Sequence, residues 1–186
     1  MLSAVIKRVK LKERGRHPRH FEALVTAIVN QQLSGKAAAT ILKRFISLFP
    51  GKRFPKPEDV ALLPAAKMRK SGLSKMKIKF LKDLSRRIAD KSLNLKKIQK
   101  LADEEVIASL TAVKGIGRWT AEMFLMFSLG REDVFSYGDL GLRNAMQKLY
   151  KLKKHPTPRQ AQKISAAWKP YRTLACRYLW ASLALK

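Results

Sequence analysis

The stretch Leu110-Thr-Ala-Val-Lys114-Gly115-Ile116-Gly117-Arg118-Trp119-Thr120-Ala121 decides how this chain reads. One helix approaches Gly115, two glycines bracket a single apolar residue, and a second helix starts at once. Gly115 suits the left-handed conformation that ends a helix. Gly117 lets the backbone come close to another molecule, and the unpaired N–H groups of the next helix start suit a phosphate oxygen. Lys114 and Arg118 add charge on either side, and Thr120 completes the candidate phosphate-binding set. An ordinary αα-turn with a glycine cap is the plain alternative, and the third glycine of a dinucleotide fingerprint is absent.

The surrounding chain favours the charged reading. Its 186 residues carry 40 Lys+Arg against 13 Asp+Glu, a formal net charge of +27, with basic residues spread from Lys7 to Lys186. The apolar share of 46% is enough for a core, so the charge does not mark a disordered tail. A folded body this cationic seeks a polyanion, and nucleic acid leads. The most apolar runs, Phe124 to Leu129 and Leu179 to Leu185, fall far short of the ~20 residues a membrane span needs, so no membrane partner is expected. Cys176 is the only cysteine, which excludes an internal disulfide and every site built from several thiolates. The start, Met1-Leu-Ser-Ala-Val-Ile-Lys-Arg, is not ordered like a secretory signal. His17 and His20 have helical spacing, but Pro18 separates them and only Glu22 is a nearby carboxylate; a basic, solvated turn is expected there, with no metal and no cofactor.

The periodicity predicts an all-α chain. Phe21, Leu24, Val25, Ile28 and Val29 form one apolar stripe. Gln31 and Gln32 interrupt it, and Ser34 caps a second helix carrying Ile41, Leu42, Phe45 and Leu48. Ser74 caps another, with Ile78, Leu81, Leu84 and Ile88 inward and a Lys/Arg-rich face outward that includes Asp83 and Asp90. Glu58 and Asp59, and then Asp103 to Glu105, sit in helix first turns. Thr157-Pro158 is a cap followed by a first helical position, and Trp168-Lys-Pro170 separates the last two helices. No run alternates with period two for long enough to argue a sheet.

Three stretches together carry a resemblance: Phe21 to Ser34, Leu110 to Ala121, and Asp133-Val-Phe-Ser-Tyr137-Gly-Asp139-Leu-Gly-Leu-Arg143, with Trp168 to Trp180 as a fourth. In this order they resemble the helix–hairpin–helix DNA glycosylase superfamily, specifically its alkylation-repair branch of the 3-methyladenine DNA glycosylase II type. The resemblance covers most of residues 20–182. It implies two helical lobes with an active-site cleft between them. Residues 20–130 would form a central lobe holding the helix–hairpin–helix at about 104–128. Residues 1–19 plus 131–186 would form a second lobe with the catalytic aspartate. The N-terminal β-rich domain of some relatives is not expected, since about twenty residues precede Phe21.

On local sequence alone Asp139 reads as the cap of the helix that Leu142, Ala145, Met146 and Leu149 continue. The resemblance makes it the essential aspartate, 22 residues after Gly117. A helix start favours negative charge, and a fixed anion stabilises an oxocarbenium-like sugar in the transition state. Relatives that also nick the strand carry a lysine where this chain has Trp119, so water is the expected nucleophile and an abasic site the product. The resemblance assigns Trp119, Trp180, Met123 and Tyr137 to a pocket for the extruded base, although each tryptophan could equally be core. Met123 stands where the branch has an aromatic. Gln31, Gln32 and Leu33 match the DNA wedge, with Gln32 the best match; a polar pair ending a helix is otherwise a plain turn. A main-chain alkali ion at Val113 and Gly115 is a further feature of the family. The expected partner is double-stranded DNA containing damaged bases, bound by a monomer in the cytoplasm at the nucleoid, or in a nucleus. A non-catalytic DNA- or damage-binding protein, and a glycosylase for deaminated or oxidised bases, stay open as alternatives.

Overall fold

The structure, a computed structural model, describes residues 1–11, 17, 19–51 and 54–185; Pro18 and Lys186 lie outside the described residues. These residues form helices α1 (Leu2–Arg8), α2 (His20–Asn30), α3 (Gly35–Ile46), α4 (Pro57–Leu62), α5 (Ala65–Lys70), α6 (Lys75–Ala89), α7 (Asp103–Thr111), α8 (Arg118–Phe124), α9 (Leu140–Leu149), α10 (Pro158–Ala166) and α11 (Arg172–Ser182). A 3₁₀ turn at Ile98–Lys100 precedes α7, and a π-helical turn, Leu125–Leu129, continues α8. Among the described residues there is no strand, and no helix is long and apolar enough to cross a membrane. The chain is all-helical, as its periodicity predicts.

The helix starts follow from local chemistry. Ser34 accepts the N–H of Ala37, Ser74 that of Lys77 and Thr157 that of Gln160, each satisfying a donor the helix leaves open. Pro158 takes the first position of α10, where its missing N–H does no harm. Leu48 is an exception to the expected pattern, since α3 stops at Ile46 and Leu48 follows in the turn.

By its contacts the chain divides into two compact units, His17–Phe124 on one side and Met1–Arg16 with Leu125–Lys186 on the other. In the first, the α2 stripe of Leu24, Val25, Ile28 and Val29 is buried with Phe45 of α3, Leu81 and Leu84 of α6, and Leu110 of α7. His20 is half-buried with its ring edge-on to Phe124, which differs from the solvated turn expected there. Burial first, and then the neighbouring His17, hold the His20 imidazole below its ordinary value.

The second unit packs α9 on α11 and α11 on α1. Val5, Leu142, Met146, Ala161, Cys176 and Leu179 are among its buried apolar side chains. The start of α11 is pinned to the segment leading toward Asp139. Arg172 grips both Asp133 oxygens at 2.6 and 3.0 Å and the Asp133 carbonyl at 2.9 Å. Thr173 donates its hydroxyl to the Arg131 carbonyl at 2.7 Å and accepts the Val134 N–H at 3.1 Å.

The Arg172 hydrogen bonds hold the Asp133 carboxyl below the ordinary carboxylate range. Arg172→Met should therefore cost about 1–2 kcal/mol at neutral pH, after allowing for the solvent screening of a partly exposed pair. The pair's contribution is complete above the unfolded carboxyl value of about 3.9 and is lost as pH falls through the lower folded value. Urea midpoints of the native and variant chains should thus converge in acid.

Candidate functional site

Asp139 stands at the N-terminus of α9, and its Oδ1 accepts the N–H of Leu142 at 2.7 Å. Capping accounts for that bond. It does not account for a second donor on the same oxygen, the Trp180 indole N–H, which arrives from α11 at 2.8 Å. Two convergent donors fix the orientation of the carboxylate. Asp139 is 9% exposed.

Gly141 eases this approach. A Cβ there would lie 3.1 Å from Asp139 Oδ1 and 3.1 Å from Trp180 Cδ1, tighter than most such contacts, so a neighbour would have to give by a few tenths of an ångström. Phe127 lies against the other part of the indole, with ring centroids 6.0 Å apart. Tyr137, two residues before the aspartate, donates its hydroxyl to the Pro156 carbonyl at 3.1 Å, and its ring lies 5.8 Å from the Arg143 guanidinium carbon. Arg143 in turn meets His155 Nδ1 at 3.2 Å, while His155 Nε2 meets Asn144 Oδ1 at 2.7 Å. Because Asn144 Oδ1 can only accept, Nε2 carries the proton and Nδ1 receives the arginine N–H. The surroundings of Tyr137 are thus tied together on the exit side of the capped turn.

The Gly-Ile-Gly hairpin belongs to the other unit. Gly115 has φ +81°, and a Cβ on it would fall 2.2–2.6 Å from atoms of the Phe80 ring. Only glycine fits, for backbone and packing reasons alike. Gly117 differs: a Cβ there would meet nothing within 4 Å, so its backbone faces open space. Val113 and Ile116 are buried beneath.

The hairpin is held by α6 and by the end of α2. Asp83 Oδ2 accepts the Lys114 N–H at 3.0 Å, and Gln31 Nε2 donates to the Gly115 carbonyl at 2.8 Å. Lys77 Nζ donates to the carbonyls of Val29 and Gln31, both at 2.7 Å. Asp83 is therefore not part of an outward charged face. It is buried, with Arg86 at 3.0 Å and Arg87 at 3.1 Å on its oxygens. Burial alone would raise its carboxyl, but the Lys114 N–H and the two arginines outweigh it and the value falls below the ordinary one.

The residues singled out from sequence fare differently around this hairpin. Lys114 is exposed, and Trp119 is 48% exposed. Arg118 is exposed but already paired: it bonds Glu104 at 3.0 and 2.5 Å and Glu122 at 3.0 Å. Thr120 is buried, which removes its side chain from the exposed surface of the hairpin, and Met123 is half-buried. Of the three wedge candidates, Gln31 is tied to Gly115, whereas Gln32 (φ 55°) and Leu33 are exposed. At the two carbonyls named for a main-chain alkali ion, Gly115 O accepts the Gln31 amide at 2.8 Å and Val113 O accepts the N–H of Ile116 at 3.1 Å, which leaves each oxygen a second lone pair. No group of three or more His, Cys, Asp or Glu among the described residues is arranged to hold a metal.

Sequence reasoning passed over Lys77 and Phe80, and gave Asp83 and Gly141 no part in the site. The spacing of three between the α6 residues was a readable signal, as was a glycine inside a helix's first turn.

A capped aspartate that follows a Gly-Ile-Gly hairpin in an all-helical chain defines a class, and comparison bears this out. Residues 25–170 match the HhH-GPD superfamily of base excision DNA repair proteins, and the chain belongs to that superfamily. It is 41% identical over 161 residues to DNA-3-methyladenine glycosylase 1 of Schizosaccharomyces pombe, covering 86% of this chain and 71% of that one. It is 34% identical over 168 residues to the putative DNA-3-methyladenine glycosylase YfjP of Bacillus subtilis, covering 88% and 58%. Among solved structures it resembles a DNA-3-methyladenine glycosidase from Bacillus halodurans (TM-score 0.89, 37% identity, 99% of this chain and 84% of that one). It also resembles the S. pombe 3-methyladenine DNA glycosylase Mag1 in complex with abasic DNA (TM-score 0.84, 37% identity, 98% and 91%).

In Gly141→Ala the added methyl should push the indole off the carboxylate. The Trp180 indole N–H should then exchange with solvent faster in NMR spectra while the helical circular dichroism is kept. Exchange as slow as in the native chain would show that Gly141 is not what admits the indole.

Proposed function

We propose that this chain is a monofunctional DNA glycosylase that hydrolyses the N-glycosidic bond of alkylated purines, of the 3-methyladenine and 7-methylguanine type, in base excision repair. The observation that carries the reading is the Asp139 carboxylate, held by a donor from a second helix that capping does not require. The names of the relatives support the substrate class. The Mag1 complex with abasic DNA supports duplex binding and an abasic product.

The chemistry follows from charge. Chemistry on a base in duplex DNA requires swinging it out of the stack, at a cost of about a few kcal/mol. Lys114, the open backbone at Gly117 and the N–H groups before α8 hold the strand's phosphates, with Arg118 joining once it leaves its glutamates. Gln32 and Leu33 fill the gap in the duplex. N-alkylated purines are cationic, so stacking on the exposed face of Trp119 gains about 0.5–2 kcal/mol, and Met123 gives that wall an adaptable surface. Such bases leave readily, so the enzyme needs no strong general acid. As the base departs, positive charge builds on the sugar, and Asp139 stabilises it more there than in the ground state. Water completes the displacement, because Trp119 stands where strand-nicking relatives carry their lysine nucleophile. Trp180 orients the carboxylate, and Tyr137 lines the pocket beside it. The enzyme acts as a monomer without cofactor, where the genome lies.

Asp139→Asn should slow release of 3-methyladenine from methylated DNA at least ~100-fold while duplex binding persists; undiminished turnover would remove Asp139 from the chemistry. Borohydride should trap no adduct between enzyme and DNA. Affinity for duplex should fall at least ~100-fold between about 50 and 200 mM salt, as expected for roughly four phosphate contacts.

A further inference from the structure

Lys77, Phe80 and Asp83 are spaced by three along α6 and so share one face of it. Each touches a different part of the hairpin's support. Lys77 reaches the open carbonyls at the end of α2, where a helix leaves acceptors unpaired. Asp83 takes the Lys114 N–H. Phe80 fills the space that a side chain on Gly115 would occupy. Gln31, whose own carbonyl is held by Lys77, closes the loop by donating to Gly115. The result is a closed circuit: α6 to the α2 turn, the turn to the hairpin, and the hairpin back to α6.

Such a circuit prevents the turn and the hairpin from shifting independently. A lysine at that site is not explained by charge pairing, since its ammonium donates to the two carbonyls of Val29 and Gln31. Burial holds its ammonium below the ordinary lysine value, so the position is kept against a desolvation cost. Gln32 and Leu33 project immediately beyond Gln31.

We infer that the Lys77–Phe80–Asp83 face of α6 couples the wedge turn to the phosphate-gripping hairpin, and that Lys77 and Asp83 are positioning residues for base extrusion. The inference rests on the glycosylase reading above. A wedge must enter the duplex at a set distance from the phosphates being held, and a displacement of about 1 Å can cost on the order of 100-fold in rate.

Two measurements on Lys77→Met test this. In hydrogen exchange, the amides of Lys114 and Ile116 should lose protection although Lys77 touches neither; unchanged protection there overturns the coupling whatever the enzyme's activity. In single-turnover assays, base release should slow at least ~10-fold when the lesion is paired, and less than about threefold when the opposite base is missing and extrusion is easier. Native rates on the paired lesion, or equal losses on both duplexes, overturn the positioning role. Lys77→Arg, which can still donate to both carbonyls, should restore the native pattern. Should Lys77→Met fail to fold, Gln31→Met breaks the same circuit at its link to Gly115 and should give the same pair of results. A native chain that frees no base from either duplex would refute the glycosylase reading, while the exchange result would still decide the coupling.

Discussion

One carboxylate oxygen receiving two N–H groups from two helices is the constraint around which the second unit is arranged. The Leu142 bond is local and follows from any aspartate at a helix start. The Trp180 bond is not local, since it needs α11 to run beside α9 with an indole facing inward, and the missing side chain at 141 eases that approach. The Arg172 fork on Asp133 and the Thr173 bonds set where α11 begins. What looks like a cap is thus the end point of several long-range commitments, and this precision is what electrostatic stabilisation of a developing cation requires.

The first unit shows the same economy in a different chemistry. Its hairpin is shaped by φ +81° at Gly115 and by a ring that leaves no room for a methyl there. It is held by acceptors and donors from α6 and α2 rather than by its own short turn. Backbone groups that meet a polyanion position it without reading its sequence, which is the use that the proposed function makes of this hairpin.

Much of this was legible in the sequence, and the limits are physical. Caps at Ser34, Ser74 and Thr157, the α2 stripe and the glycine turn depend on neighbours within a few residues, so local patterns reveal them. Asp83 was misread because a single acid among lysines and arginines looks solvated, while its deciding partner, the Lys114 N–H, lies 31 residues away. Arg118 looked like an open cation because Glu104, 14 residues earlier, reads as nothing more than a helix first-turn acid. Trp180 was recognisable as a site aromatic through resemblance, yet its bond to Asp139 spans 41 residues and leaves no local trace. Gly141 could be seen flanking the aspartate, but the indole it makes room for could not.

The arginine at the hairpin meets the world already partnered. Glu104, itself largely solvent-facing, and the buried Glu122 share its guanidinium, and pairs of this exposed kind are held weakly. Taking up another anion there is consequently a trade of one partner for another rather than the capture of a bare charge, and such a swap yields less net attraction than an unpartnered guanidinium would give.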